Sequence, residues 1–130
     1  MKRYVTDTQC LLWYLADDRR LPRGPNRTFR AADDGNAQVL VPSIALVEAI
    51  FLSQRKRVSE TLLELQEDPD ASFAVVPLDM AVVRTLNDFG PAAVPELADR
   101  VIAATARALR LPLLTVDPAI AASGLVEVID

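Results

Sequence analysis

Short apolar runs alternate with amphipathic stretches along the whole chain, and that alternation restricts the fold more than any other feature of the sequence. Residues 3–6, 38–41, 73–76, 113–116 and 126–129 lean apolar and are too short for helices, which marks them as strands. Between them the spacing predicts helices over residues 9–16, 44–57, 59–67, 80 to about 88 and 95–110, with a short turn of helix over 119–122. Pro22, Gly24 and Pro25, then Asp34-Gly35-Asn36, then residues 90–95 punctuate the pattern as loops and turns. Strands alternating with helices form a parallel sheet covered on both faces, and 130 residues suffice for one such domain, spanning 1–130.

The most informative stretch is PELADRVIAATARALRLPLLTVD, from Pro95 to Asp117. On a helical wheel Ala98, Val101, Ile102, Thr105 and Leu109 share one face, while Arg100 and Arg107 point the other way and Asp99 lies on the flank. After Pro112 the run 113–116 reads as a buried strand, closed by the turn Asp117-Pro118. A helix thus carries one carboxylate near its start, and the next strand delivers another at its end.

Absences narrow the chemistry. With no histidine the chain has no Ser-His or Cys-His nucleophile, no imidazole zinc site and no histidine acid-base pair. Any catalysis rests on carboxylates, arginines or a bound ion. A net charge of -4 argues against nucleic-acid binding through overall charge. The lone Cys10 forms no internal disulfide and reads as a small core residue, which fits a cytoplasmic protein. No run of about 18 uncharged residues suggests a membrane span, and Asp7 interrupts the place where a signal peptide needs its apolar segment.

In a parallel sheet, sites form outside the carboxyl ends of the strands. Asp7 and Asp117 each end a strand, Glu48 lies early in the helix after the second strand, and Asp99 lies near the start of the helix feeding the fourth. Three of these have a plain structural use: Asp7 and Asp117 as helix caps, Asp99 as an acid favoured by a helix dipole. Glu48 has none, since it falls among Ile44, Phe51 and Leu52, where a charge is costly without a partner. Ser43 is the expected N-cap of that helix, Asp79 the cap of a later one, and Arg55-Lys56-Arg57 are expected to close the helix over 44–57, where cations complement the dipole. Four acids gathered at one sheet edge repel one another unless they hold a cation, and an all-oxygen donor set points to Mg2+ or Mn2+.

YVTDTQCLLWYL, VPSIALVEAI and ELADRVIAATARALRLPLLTVD resemble the successive motifs of PIN domains, most closely the VapC-like ribonuclease toxins of bacterial type II toxin-antitoxin pairs. The resemblance covers nearly the whole chain. It implies an α/β fold with a parallel five-stranded sheet in the order 3-2-1-4-5, flanked by helices on both faces. It also implies Asp7, Glu48, Asp99 and Asp117 as catalytic metal ligands for Mg2+ or Mn2+, with Thr115 supporting Asp117 by a hydrogen bond and Glu96 as an accessory acid. The partners it implies are an RNA substrate, a cognate VapB-like antitoxin and a second copy of the chain in a homodimer. Two positions depart from the family's habit: Ala45 stands where a small hydroxyl residue is common, and Gln9 where a histidine is.

Five arginines and no acid lie between Arg19 and Arg30. Arg23, Arg27 and Arg30 are the expected RNA contacts, against the plainer reading of a solvated helix face balanced by neighbouring aspartates. Two other functions stand beside the nuclease: a PIN-fold binding subunit that keeps the acids without cleaving, and a receiver domain phosphorylated on aspartate. The second requires a lysine after the last strand, and the only lysines here are Lys2 and Lys56.

Overall fold

A computed structural model describes all residues, 1–130. Its strands are β1 (Lys2–Thr6), β2 (Ala37–Pro42), β3 (Phe73–Val76), β4 (Leu113–Leu114) and β5 (Val128–Ile129). Its helices are α1 (Thr8–Leu15), α2 (Arg23–Asp33), α3 (Ser43–Leu52), α4 (Lys56–Leu63), α5 (Met80–Thr85), α6 (Leu97–Leu109) and α7 (Pro118–Ser123), with a 3-10 turn at Leu86–Asp88. All strand pairs are parallel, in the order β3-β2-β1-β4-β5. A receiver-like sheet runs 2-1-3-4-5, so the strand order disfavours that alternative.

Every residue of β2 is buried, which requires helices on both faces of the sheet. The core joins Val5, Val39 and Val41 of the strands to Leu11 of α1, Phe29 of α2 and Ile102 of α6. The β1 register sets Val5 against Leu40 on one side and Leu113 on the other, so the carboxyl ends of the central strands lie side by side. α6 buries an unbroken run from Val101 to Ala106, where small alanines let the helix approach the sheet closely. Leu109, expected on that buried face, is 37% exposed, because the helix ends there and the chain reverses through Arg110 in the left-handed region, at φ 57°.

Several expectations change. Gly24 and Pro25, expected in a loop, lie in the first turn of α2. Ser43 does not cap α3; β2 runs straight into the helix, Pro42 takes the cap position, and the Ser43 hydroxyl instead accepts from the Leu78 N–H at 3.2 Å. The helix expected over 44–57 stops at Leu52, where Ser53 turns extended and its hydroxyl bonds the Arg55 carbonyl, a local bond that competes with helix continuation. Arg55-Lys56-Arg57 therefore open α4, at the end where a helix dipole disfavours cations, and all three are exposed. The helix expected over 59–67 begins and ends a turn early for the same reason, at Lys56–Leu63.

Candidate active site

The site is built from helix starts. Asp7 leaves β1 in extended conformation and caps α1, accepting from the Cys10 N–H at 2.8 Å. Asp117 follows β4 in the same way and caps α7, accepting from the Ala119 N–H at 2.8 Å, with Pro118 in the first helical position. Each cap uses one carboxylate oxygen, Oδ1, and leaves Oδ2 for another task. Capping and a site role therefore coexist on one side chain. Glu96 precedes α6 and Asp99 lies in its first turn, while Glu48 comes from the second turn of α3.

These elements bring Asp7, Glu48, Glu96, Asp99 and Asp117 to the wall of one cleft of about 230 Å3, and no basic residue lines it. The clustering shows in proton affinity. Asp99 is pushed up to about 7, first by burial, then by the charge of Asp117 and by hydrogen bonding to Asp117 and Glu96. Asp7 is also raised, chiefly by burial, although bonds from Thr115 and the Cys10 backbone pull the other way.

Two threonines hold the acids in place. The Thr8 hydroxyl donates to Glu48 Oε1 at 2.5 Å, which supplies the partner that the sequence left unexplained. The apolar sector around Glu48 is open rather than buried, with Phe51 86% and Leu52 49% exposed, so the charge reaches solvent and the cleft together. Thr115 bonds Asp117 and reaches Asp7 as well: its hydroxyl donates to Asp7 Oδ2 at 2.5 Å, and its oxygen accepts from the Asp117 backbone N–H at 3.0 Å. One side chain thus ties the two strand-end acids together.

Arg100 was legible only as an outward charge. In the fold its guanidinium donates to the carbonyls of Phe89, Gly90, Pro91 and Val94, at 2.8 to 3.2 Å, and fixes the loop that leads into Glu96 and Asp99. No sequence signal marks it beyond its place next to Asp99.

The structure does not bring Arg23, Arg27 and Arg30 to this cleft. All three are exposed on α2, and Arg27 lines a depression with Lys2 and Ala37, at the amino ends of β1 and β2, opposite the acids.

The donor set suits a hard divalent cation, because the cleft offers carboxylate oxygens backed by hydroxyls and neither nitrogen nor sulfur ligands. As placed, no three acids are gathered closely enough to hold one ion, and Asp7 and Glu48 accept from Thr115 and Thr8.

Between residues 4 and 123 the sequence matches the family model of the PIN domain. The chain belongs to the PIN domain family. No curated protein sequence matches it significantly. As a fold, this PIN domain is similar to VapBC2 from Rickettsia felis bound to a promoter DNA fragment, with TM-score 0.69 and 15% identity over 98% of this chain and 99% of that one. It is also similar to a toxin-antitoxin complex from Klebsiella pneumoniae, at TM-score 0.69 and 19% identity over 98% and 96% of the two chains. A third similar structure is VapC20 of Mycobacterium tuberculosis, a sarcin-ricin loop cleaving toxin, at TM-score 0.68 and 17% identity over 98% and 99%.

Proposed function

We propose that this PIN domain is a divalent-metal-dependent endoribonuclease of VapC type, a cytoplasmic toxin neutralised by a VapB-like antitoxin. The observation that carries the reading is the convergence of Asp7, Glu48, Asp99 and Asp117, from four separate elements, on one cleft without a basic residue. A carboxyl pushed to about 7 at its centre marks negative charge that the protein itself leaves unbalanced.

In this reading Asp7, Glu48, Asp99 and Asp117 hold Mg2+ or Mn2+, with Glu96 as an accessory acid. The bound cation would supply an activated water and charge neutralisation at the scissile phosphate. The protein's own residues do the rest. Thr115 and Thr8 fix the orientation of Asp7 and Glu48, and the α1 and α7 starts turn backbone N–H groups toward the acids. Asp99, pushed up to about 7 without metal, would give up its proton when the cation binds.

Large apolar side chains left exposed on α3 and α5, among them Val47, Phe51, Met80 and Val83, support a second copy of the chain as partner. The similar folds found in VapBC complexes support the antitoxin. Incubation of RNA with the protein in Mg2+ or Mn2+ tests the chemistry. Cleavage should stop in EDTA and leave 3'-hydroxyl and 5'-phosphate ends, since no imidazole activates the ribose hydroxyl. Cleavage that persists in EDTA, or 2',3'-cyclic phosphate ends, excludes the metal-nuclease reading. Metal binding without cleavage of any RNA favours the binding-subunit alternative.

A further inference from the structure

We propose that the groove between α1 and the α3–α4 junction, headed by Trp13, is a subsite that stacks one base of the RNA strand next to the nucleotide held at the acidic cleft. The inference rests on the ribonuclease reading above and extends it to a part of the surface outside the acids.

A strand entering the acidic cleft meets only negative charge there, so its flanking phosphates need cations nearby. Two depressions share wall residues with the cleft. One, beside α7, holds no basic residue. The other shares Gln9 and Leu52 with the cleft and is lined by Trp13, Arg20, Gln54 and Arg55. Its volume of about 210 Å3 lies below the roughly 300–1,000 Å3 of sites for drug-sized ligands, which limits it to a single small group.

Position along α1 fits this path. Gln9 borders both depressions, and Trp13 follows four residues later on the same helix face, about 6 Å further from the acids. Arg20 lies over the indole, its Cζ 5.4 Å from the ring centroid, so that face already carries a flat cationic group, whose place a base would take. The Arg20 side chain is 72% exposed and pairs with Asp18 through Nε and Nη2, a surface ion pair of the kind that costs little to exchange for a phosphate. The indole N–H is buried without a hydrogen-bond partner. A base stacked on an aromatic face with arginines at its phosphates is the usual chemistry of single-strand binding.

Trp13 is the only tryptophan, so its emission reports on this groove alone. A labelled octaribonucleotide of mixed sequence is titrated in EDTA, with emission and anisotropy followed together, and cleavage is then measured in Mg2+. The expected result is saturable quenching at the Kd given by anisotropy. Trp13→Leu should raise both Kd and the KM for cleavage about tenfold, with kcat held within about twofold, and Trp13→Phe should restore most of the affinity. Should Trp13→Leu fold poorly, Arg20→Ala and Arg55→Ala, both at exposed positions, carry the same expectation of a raised KM. RNA that is cleaved in Mg2+ with unchanged Trp13 emission and wild-type KM in these variants overturns the subsite and leaves the nuclease standing. Absence of both RNA binding and metal-dependent cleavage overturns the nuclease reading, and the subsite with it.

Discussion

Thr115 and Asp7 lie 108 positions apart in the chain and meet at 2.5 Å, hydroxyl to carboxylate, where β4 runs beside β1. The bond is fully buried, and it is one of the few forces that favour an ionised Asp7 against its burial. Thr115→Val keeps the shape and removes the donor. The variant should lose about 1–3 kcal/mol of stability in urea unfolding. The loss should be larger where Asp7 is ionised than where acid has protonated it, because only the carboxylate needs the hydroxyl. A loss that does not change with pH would mean that Thr115 acts by packing alone.

Asp99 makes the metal-free protein pH-sensitive in a defined direction. Its folded value, about 7, lies above its ordinary 3.8, so between these limits the folded state binds the extra proton. Stability in EDTA should therefore fall as pH rises from about 4 to about 7 and level off above. Asp7, also raised, adds to the same slope. Asp18 is lowered to about 2 and acts in the opposite sense, but only below pH 4. Asp99→Asn should flatten the slope and melt no lower than wild type at pH 8. A melting temperature that rises from pH 5 to pH 8 in EDTA would refute the crowded-acid picture.

Metal should reverse that penalty. Wild-type protein is expected to gain stability with Mn2+ or Mg2+ at pH 8, by about 2.7 kcal/mol at one hundred times the Kd. Affinity should weaken by about tenfold per unit below pH 7 if one proton leaves Asp99 on binding. Glu48→Gln, which removes a ligand without touching a cap, should gain little and cleave nothing. Calorimetric titration of the two proteins decides the point, and a wild-type response in Glu48→Gln excludes Glu48 from the site.

Arg100 holds four backbone carbonyls with one planar group, which a lysine cannot span. Arg100→Lys and Arg100→Ala should both destabilise by about 1–3 kcal/mol. Both should also speed hydrogen exchange in the loop between Phe89 and Val94, and cleavage should drop with them as Glu96 and Asp99 lose their fixed approach. Unchanged loop exchange in Arg100→Ala would leave the clamp without a function.

Arg23, Arg27 and Arg30 lie away from the acids, and the expectation for them follows from reach. A triple alanine variant should cleave an octaribonucleotide at the wild-type rate, while binding of long RNA should lose salt dependence by up to about one unit of log-log slope per phosphate contact. A slowed octamer reaction would bring these arginines back to the site.

The sequence by itself determined the alternation of strands and helices, the carboxyl edge as the place of the acids, and the caps at Asp7, Asp79 and Asp117. All of these are written in residues within about four positions of one another, the range over which helix starts and apolar periods act. The PIN motifs further carried the strand order. What only the tertiary structure decided depends on contacts between distant segments. The break after Leu52 turned a basic helix end into a helix start, and Ser43 left its cap for Leu78. Glu48 found Thr8, Thr115 found Asp7, and Arg100 found the carbonyls of its own loop. The arginines of α2 came to rest at the far end of the sheet because α2 must run down to the amino end of β2 to begin that strand. A helical wheel tells which way a side chain points; only the packed sheet decides what stands there to meet it.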